Sequence, residues 1–146
     1  IPVASEKSFA VTDALGLCAF STTLAYAVTP EAMAKLFSLA TGIDMSEDDI
    51  MRAGRRIFTL EKCFNAREGG TRADDKLPWR IMNDPLKDSP KGDARNSPEQ
   101  MNIMLDDYYN LHGWDAITSW PRSQILKELG LIDQMESLAT LNRLPS

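Results

Sequence analysis

The chain is poor in the side chains that most often build a self-contained metal or redox centre, with two cysteines and one histidine among 146 residues. A four-cysteine cluster cannot be assembled from it, so a metal bound through Cys18 would need its other ligands from another domain or chain. A single bridge between Cys18 and Cys63 is weak support for an oxidising compartment, and reduced thiols in a cytoplasmic setting are expected. Apolar runs are only a few residues long, far short of the ~20 needed to cross a bilayer as a helix. Basic blocks are missing too: 16 Lys and Arg are spread among 21 Asp and Glu, for a net charge of -5. Phosphate binding needs a basic stripe, so neither nucleic acid nor a membrane is an expected partner. The opening IPVASEKSFA lacks the basic and apolar regions of a secretion signal, and a start on Ile1-Pro2 without methionine is what a piece of a longer chain would show.

What is present reads as helix. Apolar residues make up 43% and charged residues 25%, which fits one soluble domain. Thr29-Pro30-Glu31 has the form of an N-cap, an N1 proline and a first-turn acid, and Met33, Leu36, Phe37 and Ala40 keep a helical period up to Gly42. Ser46 followed by Glu47, Asp48 and Asp49 opens a longer helix with Ile50, Ala53, Ile57, Leu60 and Phe64 on one stripe, stopped at Gly69-Gly70. Ser97-Pro98-Glu99-Gln100 is an S-x-x-Q capping box leading through Met101, Met104, Leu105, Tyr108 and Leu111 to Gly113. Pro121 to Leu129 predicts a fourth helix before Gly130, and Asp133 with Glu136 caps a fifth through Met135, Leu138 and Leu141. Between Gly70 and Asn96 runs GTRADDKLPWRIMNDPLKDSPKGDARN, with at most one helical turn around Trp79 to Met82. A connection of that length is functional, packed against something, or disordered. The expected architecture is all-α: an irregular bundle of about five helices with one long extended crossing segment, forming a single domain over residues 1–146.

The stretch DALGLC carries the chemistry. Asp13 offers two carboxylate oxygens that accept a fork of N–H donors such as an aminopyrimidine-like ring edge presents. Gly16 can adopt a backbone conformation closed to other residues and admits close approach to the main chain. Cys18, as thiolate, is a soft ligand for iron–sulfur or zinc centres. Flanked by Leu17, Ala19 and Phe20, it also reads as a small core residue, the commoner role of a lone cysteine in apolar surroundings.

D-x-x-G-L-C resembles the C-terminal signature of the tungsten-containing aldehyde ferredoxin oxidoreductase family. The run ATGIDMSEDDIMRAGRRIFTLEKCFNAREGGTRADDKLPWRI is similar to that family's long helix and the segment after it, as are DDYYNLHGWD and PRSQILKELGL, in order over nearly the whole chain. The resemblance implies that Cys18 is the last of four ligands to a 4Fe-4S cluster. It also implies that Asp13 hydrogen-bonds one pterin of a tungsten (or molybdenum) bis-pterin cofactor, with Gly16 and Leu17 packed alongside through their backbone. The other three cluster cysteines, the second pterin contact and the metal-facing catalytic groups would lie in upstream domains of the same polypeptide. On this reading the chain is the C-terminal part of an enzyme that oxidises a small aldehyde and passes electrons to a ferredoxin-type acceptor, with no catalytic residue of its own and no cofactor held or activity shown in isolation. The alternative is a helical scaffold or interaction module that has lost the redox role.

Other chemistry-bearing residues read as structural. Cys63 falls on the long helix, where packing is expected. His112 sits in a last helical turn, where a cation or hydrogen-bond donor suits the helix end. Asp74-Asp75 reads as caps and solvent-facing charge, with Arg72 and Arg80 as candidate anion contacts near the cofactor domain. Met101, Met104, Tyr108 and Tyr109, at helical spacing, read as core.

Overall fold

The computed structural model describes residues 2–25, 27–88, 90 and 96–145, with the backbone alone for residues 2 and 4. Ile1 and, within the crossing segment, residues 89 and 91–95 lie outside the described residues. Among the described residues seven α-helices follow one another: α1 (Pro2–Ala14), α2 (Pro30–Thr41), α3 (Glu47–Arg67), α4 (Trp79–Asn83), α5 (Pro98–His112), α6 (Ser123–Glu128) and α7 (Ile132–Thr140), with a 3-10 turn at Arg72–Asp74. An antiparallel bridge between Trp114 and Pro121 closes the turn between α5 and α6. The fold is all-α, and no described helix is long and apolar enough to cross a membrane.

Local chemistry sets three helix starts where the sequence places them. The Thr29 side chain accepts from the Ala32 N–H at 3.2 Å, and Gly42 closes α2 at φ 72°. Ser46 and Asp49 cap α3 reciprocally, through bonds of 3.2 and 3.0 Å. At α5, Ser97 accepts from the Gln100 N–H at 3.3 Å. Its hydroxyl donates to Glu99, and the expected return bond from the Gln100 side chain is not formed. The periodic segments account for α2, α3, α5, α6 and α7. Helix α1 is an addition: its apolar residues make no clear stripe, and its position is fixed by packing on α3.

That packing departs from the stripe the hydropathy predicts. The buried residues of α3 are Ile50, Gly54, Thr59, Cys63 and Ala66, while Leu60 and Phe64 are 43% and 55% exposed. The small residues mark the line of closest approach. A Cβ on Gly54 would lie 2.3 Å from the Lys7 carbonyl oxygen, so α1 can cross there only over a glycine. Around the first half of α3, Val11, Met33, Ala34 and Ile50 form a small core; around its second half lies a larger one of Cys63, Ala66, Tyr109, Trp114, Ile125, Leu126, Leu129, Leu131 and Leu138. Met104 and Leu111 on α5 are 66% exposed, outside both cores.

The crossing segment is anchored to the bundle over its first part. Arg72 pairs with Asp106 and donates to the carbonyls of Ala116 (2.6 Å) and Asn102 (3.1 Å). The paired aspartates divide: Asp74 accepts from the Thr71 N–H at 2.9 Å as a cap, whereas Asp75 receives the Tyr109 hydroxyl at 2.6 Å and the Lys62 ammonium at 3.0 Å. Arg72 is thus engaged in holding the segment, and Arg80, 87% exposed, pairs with Asp84 on its own helix.

Candidate functional site

Helix α1 ends in a turn built from the DALGLC residues. The Leu17 N–H donates to the Thr12 carbonyl at 3.0 Å and the Gly16 N–H to that of Asp13 at 3.1 Å. This is a Schellman termination, and Gly16, at φ 68°, supplies its left-handed residue. Nothing lies within 4 Å of where a Gly16 Cβ would stand, so the backbone of this turn faces outward. Leu15 and Leu17 turn inward onto the small core. Asp13, Gly16 and Cys18 are exposed, and the Asp13 carboxylate makes no hydrogen bond or ion pair among the described residues. Exposure of Cys18 removes the core-residue reading, since that role requires enclosure.

The chain after Cys18 folds back on it. The Thr22 hydroxyl and the Ser21 N–H donate to the Cys18 carbonyl at 2.8 and 3.2 Å, and the Thr12 and Thr23 hydroxyls meet at 2.6 Å, tying the loop to α1. The nearby backbone N–H groups of Ser21 and then Phe20, with the Ser21 hydroxyl, hold the Cys18 pKa below the ordinary thiol value. A lowered pKa favours thiolate, the form that ligates metal. Beside it Phe20 is 80% and Leu24 51% exposed. Cys63 is the opposite case: buried in the large core, its thiol is pushed up to about 11 by desolvation. It packs and does not react.

His112 does not act as a cation at the end of α5. Its ring is 1% exposed, stacked on Trp114 with centroids 4.4 Å apart, and its pKa is lowered to about 4, chiefly by burial and then by Lys7, Arg55 and Lys62. At neutral pH it is uncharged, with Nε2 3.1 Å from a Glu6 oxygen. A cleft of about 710 Å³ between α3 and α7, lined by Leu60, Cys63, Phe64 and Leu138 among others, contains none of the turn residues.

Sequence reasoning missed the support of the turn: Thr12, Ser21, Thr22, Thr23 and Gly54. The Ser-Thr-Thr run after Cys18 was a readable signal, because short hydroxyl side chains bond nearby backbone and favour turns. So was a glycine inside a helix, which costs about 1 kcal/mol relative to alanine unless packing needs it.

The site is therefore an outward-facing wall, with an exposed thiol and an unpaired carboxylate at the end of one helix, on an all-helical domain. Among the described residues no three His, Cys, Asp or Glu side chains converge to hold a metal ion. The donor set fits one corner of a soft-metal centre completed from elsewhere.

Comparison with known proteins gives this wall a family. Residues 1–131 match the family model for aldehyde ferredoxin oxidoreductase, domains 2 and 3, and the chain belongs to that family. It is 35% identical over 127 residues to the tungsten-containing aldehyde ferredoxin oxidoreductase of Pyrococcus horikoshii, covering 86% of this chain and 20% of that protein. The corresponding protein of Pyrococcus abyssi is 33% identical over 123 residues, covering 84% and 19%. Among solved structures, the active site complex BamBC of benzoyl coenzyme A reductase, in complex with 1,5-dienoyl-CoA, superposes with a TM-score of 0.81 at 26% identity, over 99% of this chain and 20% of that one. The chain thus spans about a fifth of the length of the curated relatives it matches.

Proposed function

We propose that this chain is the C-terminal cofactor-contacting domain of an aldehyde:ferredoxin oxidoreductase, acting with upstream domains of the same polypeptide in the cytoplasm. The observation that carries the reading is the exposed Cys18 thiol, its pKa lowered by the turn around it, on the same turn as the unpaired carboxylate of Asp13. When bound, a tungsten bis-pterin supplies the oxidation of aldehyde and water to carboxylic acid, two protons and two electrons, and a 4Fe-4S cluster carries the electrons towards ferredoxin. In this chain Cys18 would be the last of the four thiolate ligands to that cluster. The surroundings of Cys18 lower its thiol pKa and so favour the thiolate that would ligate iron. Asp13 would hold the pterin by accepting N–H donors of its aminopyrimidine edge, and the open backbone at Gly16, with Leu17, would let the ring lie alongside. Neither residue meets the reacting carbon. Their roles are ligation and orientation, and the chain by itself is expected to be inactive and free of cofactor.

The test is to place Cys18→Ser and Cys63→Ser separately in the full-length enzyme and measure iron content and the cluster's paramagnetic resonance signal. Serine is a poor ligand to iron, so Cys18→Ser is expected to give a three-iron form or no cluster, with electron exit lost. Cys63→Ser is expected to keep its iron and lose about 1–3 kcal/mol of stability from a hydroxyl buried in an apolar site. A full cluster in Cys18→Ser would sink the assignment.

A further inference from the structure

The contacts that hold helix α1 include its crossing over Gly54, the Ser8–Met51 contact, the Thr12–Thr23 hydroxyl contact at its end, and Glu6 in its first half. Glu6 reaches to α5, where its Oε2 lies 3.1 Å from His112 Nε2 and the carboxyl is hydrogen-bonded by Tyr108. The His112 ring is enclosed by Trp114, Tyr108 and Phe58, at centroid distances of 4.4, 4.6 and 5.4 Å. Its Nδ1 is buried without a hydrogen-bond partner. With one proton, on Nε2, the imidazole donates to the Glu6 carboxylate and leaves only a lone pair unmatched. A second proton would sit on Nδ1, where no acceptor waits, in a cage faced by Lys7 from α1 and by Arg55 and Lys62 from α3. The opposing carboxylates are Glu128, paired with Arg55, and Asp75, paired with Lys62.

We propose that the Glu6–His112 contact is an acid-labile clasp holding α1, and with it the Asp13–Cys18 turn, on the core. Docked, the pair has room for a neutral imidazole and not for an imidazolium; undocked, the imidazole keeps Trp114, Tyr108 and Phe58 around it but loses the cover of α1 and the Lys7 charge, so it protonates more readily. The direction follows from linkage. A histidine whose folded pKa is depressed, here from 6.5 to about 4, favours docking fully above its ordinary pKa, and that preference is lost as pH falls from about 6.5 towards 4. Glu6 works the other way: burial raises its pKa, so the docked form holds its proton more firmly, which offsets part of the loss near the carboxylate range. The clasp stands on contacts within this chain and does not depend on what the turn binds.

The experiment is hydrogen–deuterium exchange on the intact enzyme, followed on peptides covering residues 2–14 and 132–140 between pH 7.5 and 5 and corrected for intrinsic exchange. Histidine alone gives at most roughly a tenfold rise in opening per pH unit below 6.5. The retained ring stack and the Glu6 offset both reduce this, so α1 is expected to open several-fold more at pH 5 than at pH 7, while α7 stays constant. His112→Phe keeps the aromatic stack and removes the titrating group, so its α1 exchange should be independent of pH. The clasp is refuted if wild-type α1 opening is flat across this range, if α7 opens in parallel, or if His112→Phe keeps the wild-type profile. Should His112→Phe fail to fold, the two wild-type peptides decide the matter alone.

Discussion

The two halves of α3 serve two unlike cores. The C-terminal half is enclosed by nine buried residues from α3, α5, α6, α7 and their connections, braced by Asp75 on Tyr109 and by the Trp120 indole on the Gly70 carbonyl at 2.8 Å. Among the described residues the N-terminal half has four, with Leu39 76%, Ile43 57% and Phe20 80% exposed around it. The outward-facing turn sits on the weaker core. In this family member the large core supplies stability, and the small one supplies a platform whose apolar surroundings invite cover from the rest of the enzyme.

Mutations should separate the two regions. Leu126, fully buried in the large core, should cost the most when cut to alanine, about 3–4 kcal/mol, lowering the melting temperature of the whole domain. Gly54→Ala should come next, at about 2–3 kcal/mol, because the added methyl meets backbone at 2.3 Å and neither helix can yield by a rotamer change. Its signature should be local: faster hydrogen exchange in α1 and the turn, with α6 and α7 protected. Equal loss in both regions would mean that the cores are not separable. Gly16→Ala should be smallest, about 1 kcal/mol, since the residue keeps a positive φ but its Cβ would point into open space; a thermal melt checks it.

How far the fold was legible follows the same division. Helices α2, α3 and α5 announce themselves because caps are local: Thr29, Ser46 and Ser97 bond N–H groups three residues on. Helix α1 does not, because its register depends on Gly54, distant in sequence, and on threonines buried by tertiary bonds. The α3 stripe was misread for a related reason, since hydropathy rewards Leu60 and Phe64 while the closest helix approach needs Gly54, Thr59 and Ala66. His112 read as a helix-end donor because nothing near it in sequence shows Glu6 arriving from the opposite end of the chain. At the site, DALGLC was readable as a turn carrying a candidate soft ligand; the fold-back of residues 19–25 onto the Cys18 carbonyl is a matter of backbone path, which composition does not reveal.

The central claim, that Cys18 is an outward-facing metal ligand and Cys63 a packed thiol, is tested most directly by alkylation. Intact enzyme would be treated with iodoacetamide before and after its iron is removed by a chelator under reducing conditions, and labelling at each cysteine read by peptide mass spectrometry. The account predicts that Cys18 is protected in the iron-loaded enzyme and labelled once iron is gone, at a pH below that needed for an ordinary thiol. Cys63, buried and with its pKa at about 11, should stay unlabelled in both. Equal labelling of Cys18 with and without iron would contradict the account.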